Sequence, residues 1–223
     1  MSNLLNEMLV MQDKLNEKTN GSEWKTGVTN NGKLINWRRC IYMECAELME
    51  SFAWKHWKSI DAAIDEANAK IEIVDIWHFV MSLGLEKGEV SEVCALVKGT
   101  SGFGEFCKSA YKPSNYNMYE ILNEIEIIIH RTSAPGVDFC DLVRDFFSLA
   151  LKLGVNLDEL YQIYMGKNVL NAFRQDNGYK EGSYRKIWNG KEDNVVMNEI
   201  LNSGVVGFEA IYSALREAYA AAK

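Results

Sequence analysis

The 223-residue chain lacks several features that would assign it to common classes of protein. It has no apolar run near the roughly 20 residues that a membrane-spanning helix needs. Its beginning, MSNLLNEMLVMQDK, lacks the basic start and small-residue cleavage site of a signal peptide. Its five cysteines are odd in number and include no CxxC pair, which argues against a disulfide framework or a zinc ribbon. Together these absences predict a protein of the reducing cytoplasm with no membrane partner.

The chain also has no excess of basic residues. Lys and Arg number 24 against 31 Asp and Glu, and the net charge is −7, so general binding to DNA or RNA is disfavoured. Any anion that binds must therefore meet a local basic patch. The composition, 48% hydrophobic and 25% charged, is that of a folded globular protein, and the length fits one domain.

No stretch shows the alternation of apolar and polar residues that is typical of a β-strand, and helical periodicity dominates instead. The sequence therefore predicts an all-α fold. The predicted helices are 3–18, 36–57, one that begins after Ser59 or Asp61 and ends near Leu85, 89–98, 117–131, 138–153, 156–173, 193–202 and 207–222. The segments 19–33, 99–116 and 174–194 lack this periodicity and are predicted to be loops.

Two of these helices carry pairs of carboxylates at helical spacing. Glu44 and Glu47 are three residues apart in CIYMECAELMES, as are Glu72 and Asp75 in KIEIVDIWHF, so each pair lies on one helix face. If the two helices pack antiparallel, four carboxylates converge among apolar residues and repel one another unless a cation neutralises them. Oxygen ligands suit Mg²⁺ or Mn²⁺. The spacing alone is equally consistent with an acidic helix face that is exposed to solvent and binds no metal.

A second interpretation of the acidic helix involves His78. The sequence Asp75-x-x-His78 resembles half of a di-iron helix-bundle site, which needs a matching carboxylate-x-x-His pair on another helix. His56 and His130 have no acid three residues before them. His78 is therefore more typical of a core residue, or of one that supports the ligands from behind.

Two clusters of basic residues follow the acidic helices. The first, AWKHWK, contains Trp54, Lys55, Trp57 and Lys58, which could stack a base and contact phosphates or simply form a helix end. The second combines cations with glycine turns, as a polyphosphate site requires. Its members are Lys167, Arg174, Lys180, Arg185, Lys186 and Lys191.

Three blocks of the sequence together resemble the motifs of a known family. RRCIYMECAELMESFAWKHWK, KIEIVDIWHF and KNVLNAFRQDNGYKEGSYRKIWNGKEDN are similar to the motifs of the dimeric all-α dUTP pyrophosphatases (dUTPases), within the all-α nucleoside triphosphate pyrophosphatase superfamily that includes MazG-like proteins. The resemblance implies a multi-helix bundle with a mobile basic C-terminal segment that closes over the substrate, and a homodimer. Residues 1–223 would form a single catalytic domain, with metal-binding helices within 36–85 and a phosphate-binding segment at 167–194.

The same resemblance implies a reaction, in which dUTP and water give dUMP and pyrophosphate with Mg²⁺ (or Mn²⁺) as cofactor, and dUDP is also split. The implied metal ligands are Glu44, Glu47, Glu72 and Asp75, with Glu44 or Glu47 also activating the water. The implied phosphate contacts are Lys167, Arg174, Tyr179 and Lys186, with Lys55 and Lys58 as weaker candidates. The implied nucleoside contacts are Gln12, Asn16 and Trp57 for uracil and Asn171 for the deoxyribose 3′-hydroxyl.

Two alternatives stay open on the sequence alone. A related pyrophosphatase with another preferred base, such as the cytosine of dCTP, would keep the same acidic pairs and differ only around Gln12, Asn16 and Trp57. A non-catalytic helical interaction module would carry the same acids as a solvated surface.

Overall fold

The computed structural model of the chain describes residues 2–58, 63–108 and 117–222. Within these ranges the chain forms ten α-helices, one 3₁₀ helix (Trp24–Thr26) and one hairpin of two-residue strands, so the all-α prediction is confirmed. The helices are α1 (Ser2–Asn20), α2 (Trp37–Glu50), α3 (Glu66–Leu85), α4 (Val90–Gly99), α5 (Phe103–Phe106), α6 (Met118–Ser133), α7 (Phe139–Lys152), α8 (Leu157–Asp176), α9 (Asp193–Asn202) and α10 (Phe208–Ala221). The strands are β1 (Ile187–Trp188) and β2 (Lys191–Glu192). None of the described helices is long and apolar enough to span a membrane.

The chain divides into two compact units, Met1–Leu160 and Tyr161–Lys223. The first contains α1 to α7 and the beginning of α8. The second contains the rest of α8, the hairpin, α9 and α10. The assignment of all 223 residues to one catalytic domain stays a prediction.

The central element of the first unit is α3, which packs against α1, α2, α4 and α7. This helix is apolar on nearly every side, as expected of a helix surrounded by others. Trp77 is fully buried and stacks on Phe146 of α7 at a centroid distance of 4.8 Å. At Gly84 an added Cβ would lie 2.7 Å from the ring of Phe139, so only glycine permits this approach of α3 to α7. A helix held on so many sides keeps its polar side chains in fixed positions.

The predicted extension of α2 to Trp57 is wrong. The helix ends at Glu50, where the backbone N–H groups of Ser51 and Phe52 bond to carbonyls three residues earlier, at 3.0 and 3.2 Å. These bonds tighten the last turn, which is a common way for a helix to end. Residues 51–58 follow as turns and bends rather than as helix.

The predicted start of α3 is also corrected. The helix begins at Glu66, because the side chain of Asp65 accepts a hydrogen bond of 2.9 Å from the backbone N–H of Asn68 and so caps the first turn. The two predicted caps, Ser59 and Asp61, lie outside the described residues. The other predicted helices agree with the structure to within three residues at each end, and α5 is a short helix inside the predicted loop 99–116.

The core of the second unit is an apolar cluster of α8, the hairpin, α9 and α10. Trp188 is 2% exposed, and its indole N–H donates to the main-chain oxygen of Arg185 at 2.6 Å. The hairpin turn is Asn189–Gly190, with φ of 51° and 81°. A two-residue hairpin with a type I′ turn requires positive φ at both turn positions, which Asn-Gly provides. Part of the basic segment is therefore anchored by a buried tryptophan. Its predicted closure over a substrate stays a prediction.

Candidate active site

Three carboxylates from two packed helices meet in the first unit. Glu44 of α2 and Glu72 and Asp75 of α3 each offer a carboxylate oxygen within 4.8 Å of the others. Glu72 is 8% exposed, and its two companions are half-buried. The spacing of three residues places Glu72 and Asp75 on one face of α3, and the packing of α2 on α3 brings Glu44 to that face. The predicted convergence of the two acidic helices is thus present for three of the four acids.

Glu47, the fourth predicted ligand, lies one turn further along α2. Its side chain is exposed, and it is not a member of the group formed by Glu44, Glu72 and Asp75. Its assignment as a ligand or as the base that activates water stays a prediction.

The donor set of this group fits a hard divalent cation. The three carboxylates lie close together beside apolar residues of α3. Each negative charge therefore raises the free energy of the charged form of the other two. An octahedral Mg²⁺ ion holds oxygens at 2.0–2.1 Å, so opposite ligands lie about 4.2 Å apart. The three carboxylate oxygens, which lie within 4.8 Å of one another, are close enough to hold one cation between them. Oxygen donors alone favour Mg²⁺ or Mn²⁺ over zinc.

The two amides predicted to contact the base lie in a buried hydrogen-bonded cluster between α1 and α3. Gln12 Nε2 donates to Asn16 Oδ1 and to Ser82 Oγ, both at 3.0 Å. Asn16 Nδ2 also donates to Ser82 Oγ at 3.0 Å, and Gln12 Oε1 lies 2.7 Å from His78 Nδ1. We call Gln12, Asn16, His78 and Ser82 the amide cluster. It joins the helix that carries Glu72 and Asp75 to the N-terminal helix.

The position of His78 argues against the di-iron interpretation. The carboxylate group of the described residues does not include His78. Its Nδ1 instead faces Gln12 Oε1, and the residue is 4% exposed. His78 is a buried supporting residue, as the sequence favoured.

The first basic cluster is not the end of a helix. In residues 51–58, Trp54 and Trp57 meet edge to face at 5.7 Å between ring centroids, and Trp57 is 62% exposed. Lys55 pairs with Glu50 and lies over the ring of Trp54, 5.5 Å from its centroid. Lys58 is exposed. This segment presents one indole ring and one lysine to solvent, and its role in binding a nucleotide stays a prediction.

The second basic cluster contains a buried ion pair. Arg174 donates from Nε and Nη2 to the two carboxylate oxygens of Asp193, both at 2.8 Å, and the Asp193 side chain is fully buried. Tyr184 donates its hydroxyl to Asp193 Oδ2 at 2.8 Å. Lys167, only 3% exposed, donates to Asn194 Oδ1 at 3.0 Å. Two of the predicted phosphate contacts are therefore held in place by the first two residues of α9.

The other predicted contacts of this cluster differ in exposure. Asn171 accepts a hydrogen bond of 3.2 Å from Arg174 Nη1, so these two residues share a helix face. Tyr179 is 47% exposed, with the guanidinium of Arg174 5.8 Å from its ring centroid. Lys186 is exposed and lies 4.0 Å from a carboxylate oxygen of Glu192.

Two residues that hydrogen-bond to predicted site residues were not identified from the sequence. Asp193 follows the basic block in KEDN, and an acid beside a cluster of cations was the available signal for an ion pair. Ser82 lies four residues after His78, one turn along the face of α3, so helical spacing could have placed it there. Neither signal identifies the residue on another helix that Asp193 or Ser82 contacts.

The Arg174–Asp193 pair predicts a stability that depends on acid pH. Burial raises the pKa of Asp193, but hydrogen bonds and charge from Arg174, with smaller contributions from Tyr184 and Lys167, hold that pKa below its ordinary value. A carboxyl with a depressed pKa stabilises the fold fully above its unfolded pKa of about 3.9 and loses this contribution as the pH falls through the folded pKa. Acid titration of the folded chain, followed by tryptophan fluorescence, should show a loss of stability below about pH 4, and this pH dependence should be weaker in Asp193→Asn. An identical acid dependence in both proteins would contradict the assignment.

Comparison with known proteins identifies the family. A family model described as dUTPase matches residues 4–179, well over half of the chain. The matched range includes the four predicted metal ligands, the amide cluster, Arg174 and Tyr179, and it ends before Lys186 and Asp193. No curated protein matches the chain significantly. The chain therefore belongs to the all-α dUTPase family, and this membership indicates dUTP diphosphatase activity.

Proposed function

We propose that the chain hydrolyses dUTP to dUMP and pyrophosphate, and dUDP to dUMP and phosphate, in a reaction that depends on Mg²⁺. The observation that carries the proposal is the convergence of carboxylate oxygens from Glu44, Glu72 and Asp75 within 4.8 Å of one another. Family membership supports the dUTP reaction itself, and the donor set supports the choice of metal.

The acidic residues hold the cation and the attacking water. Glu44, Glu72 and Asp75 bind the metal, which when bound neutralises charge that develops on the phosphate oxygens. Glu47, exposed one turn away on α2, either joins this ligand set or accepts the proton of the attacking water. Glu44 is the alternative base. In either assignment the carboxylates position the nucleophile rather than supply it.

The cations of the second unit bind phosphate oxygens. Arg174 and Lys167 are fixed by Asp193 and Asn194, and such fixed donors bind anions without the entropy cost of ordering a long side chain. Tyr179 and Lys186 are exposed and complete the set. Lys55 and Lys58 are weaker candidates for the same role.

Nucleoside recognition uses amides and one indole. Gln12 and Asn16 read the uracil edge, because an amide oxygen and an amide N–H together match the N3–H donor and the O4 acceptor of uracil. Trp57 forms a wall for the base, and Asn171 holds the 3′-hydroxyl of the deoxyribose. A site built to match uracil's hydrogen-bonding groups rejects a base that leaves buried groups unpaired.

The proposal extends to assembly and compartment. We infer a homodimer in the cytoplasm, with Mn²⁺ able to replace Mg²⁺. Light scattering of the purified chain over a range of concentrations tests the dimer, and a monomer at micromolar concentration would contradict it.

Pyrophosphate release from dUTP tests the activity, its metal requirement and its selectivity together. With Mg²⁺ we expect strong release that falls at least about a thousandfold in EDTA, because several kcal/mol of charge stabilisation is lost. Mn²⁺ should restore it. Parallel reactions with dCTP, dTTP and UTP should be much slower. Full release in EDTA would contradict the metal requirement, and equal rates on all four nucleotides would favour the pyrophosphatase of broader base preference.

A further inference from the structure

The hydrogen bonds of the amide cluster determine the directions in which the oxygen and the nitrogen of each amide point. The hydroxyl proton of Ser82 goes to the main-chain oxygen of His78 at 2.8 Å, a shorter distance than the 3.2 Å from Ser82 Oγ to Asn16 Oδ1. The Ser82 oxygen is then an acceptor only. It receives the side-chain nitrogens of Gln12 and Asn16, both at 3.0 Å. A hydroxyl committed in this way orients both amides with their nitrogens toward it.

His78 fixes the same orientation from the other side. Its Nδ1 lies 2.7 Å from Gln12 Oε1, and the tautomer with its proton on Nδ1 donates to that oxygen. If the Gln12 amide turned over, its oxygen would face Asn16 Oδ1, where Gln12 Nε2 now donates at 3.0 Å. Two acceptors would then oppose each other in a buried site, which is costly. The orientation of Gln12 therefore sets that of Asn16.

This orientation has a consequence for base selection. Uracil presents an acceptor at O4 and a donor at N3–H, whereas cytosine presents a donor at N4 and an acceptor at N3. An amide that turns over exchanges its own donor and acceptor in the same way, so a freely turning amide can match either base. Gln12 and Asn16 are 2% and 3% exposed, so an unmatched group there costs more than it would in water.

We propose that Ser82 and His78 are specificity-determining residues that make the site select uracil over cytosine by locking the Gln12 and Asn16 amides in one orientation. Both act through the amides and are positioning residues. The inference rests on the proposed reading of the base by Gln12 and Asn16, and the experiment separates the two ideas.

The test compares the ratio of kcat/KM for dUTP to that for dCTP in Ser82→Ala with a matched control, Thr132→Val. Thr132 is also a fully buried residue whose hydroxyl donates to the carbonyl four residues earlier, at 2.8 Å, but among the described residues this hydroxyl has no hydrogen bond to an amide side chain. We expect Ser82→Ala to lower the ratio at least about tenfold and Thr132→Val to leave it unchanged. Equal loss in both variants would mean general loosening of the core and would overturn the inference.

A second pair of variants covers the case in which Ser82→Ala does not fold. His78→Leu removes the donor to Gln12 and should lower the ratio, whereas His78→Asn keeps a donor nitrogen near the position of Nδ1 and should restore it. Gln12→Met and Asn16→Ala test the base reading itself. If neither changes the ratio, the proposed reading of the base fails. If they lower it while Ser82→Ala and His78→Leu do not, the reading stands and the lock is wrong.

Discussion

Glu72→Gln is expected to lower the rate of dUTP hydrolysis in Mg²⁺ by about a thousandfold. The substitution keeps the shape of the side chain and removes one of the three charges that meet between α2 and α3. A neutral amide is a poor ligand for Mg²⁺, and a loss of about 4 kcal/mol of charge stabilisation corresponds to three factors of ten in rate. Initial rates of pyrophosphate release at saturating dUTP measure the effect.

The matched control for this prediction is Glu66→Gln on the same helix. Glu66 is exposed in the first turn of α3, so its loss changes the local charge and leaves the carboxylate group intact. We expect its rate to stay within about twofold of the unchanged chain. Mg²⁺ alone should raise the melting temperature of the Glu66→Gln protein and not that of Glu72→Gln, because only a folded-state site that binds the ion gains stability from it. Comparable rates in the two variants would refute the metal-site assignment.

Asp193→Ala is expected to lower the free energy of unfolding by about 3–5 kcal/mol, the usual cost of leaving one member of a buried ion pair without its partner. The Asp193 side chain is fully buried and that of Arg174 is 11% exposed, so water replaces little of the lost interaction. The substitution also removes an acid from the first turn of α9, where negative charge is favourable. The total stability of a domain is only about 5–15 kcal/mol, so chemical denaturation should detect this readily.

Glu199→Ala provides the comparison for Asp193→Ala. Glu199 also lies on α9 and pairs with Lys191 at 2.5 Å, but both side chains are 54% exposed. An exposed pair contributes about 1 kcal/mol or less, so the two variants should differ several-fold in their effect. Burial raises the pKa of Tyr184, as does its hydrogen bond to Asp193, so in the unchanged chain the phenol keeps its proton and donates to the carboxylate. A small effect of Asp193→Ala would mean that the pair does not stabilise the second unit.

The acidic site shows what the spacing of residues along a helix can predict and what it cannot. The intervals between Glu44 and Glu47, and between Glu72 and Asp75, place each pair on one helix face without any knowledge of the fold. The choice of Glu44 over Glu47 as the acid that meets α3 depends on the rotation and register of α2 against α3. That register is set by the whole packed interface of the two helices, and no short motif contains it.

The same limit applies to the buried polar contacts. The basic residues of 167–191 are recognisable by composition. The buried ion pair of Arg174 and Asp193 joins two residues that are 19 positions apart, because the hairpin between them brings the start of α9 back to α8. Gln12 and Ser82 are separated by 70 positions and meet because α1 packs on α3. Buried polar side chains are expected to have hydrogen-bond partners, but only the tertiary structure determines which residues those partners are.

The sequence by itself determined the all-α class, most helix positions, the spacing of the two acidic pairs and the family, because periodicity, spacing and motifs are local properties of the chain. The end of α2 and the start of α3 required the structure, since backbone bonds at Ser51 and the cap at Asp65 decide them. The tertiary structure alone decided that three acids converge, that Asp193 holds Arg174, and that His78 and Ser82 lie within hydrogen-bond distance of the amides. Each of these depends on distances between segments far apart in sequence, which packing fixes and local propensity does not encode.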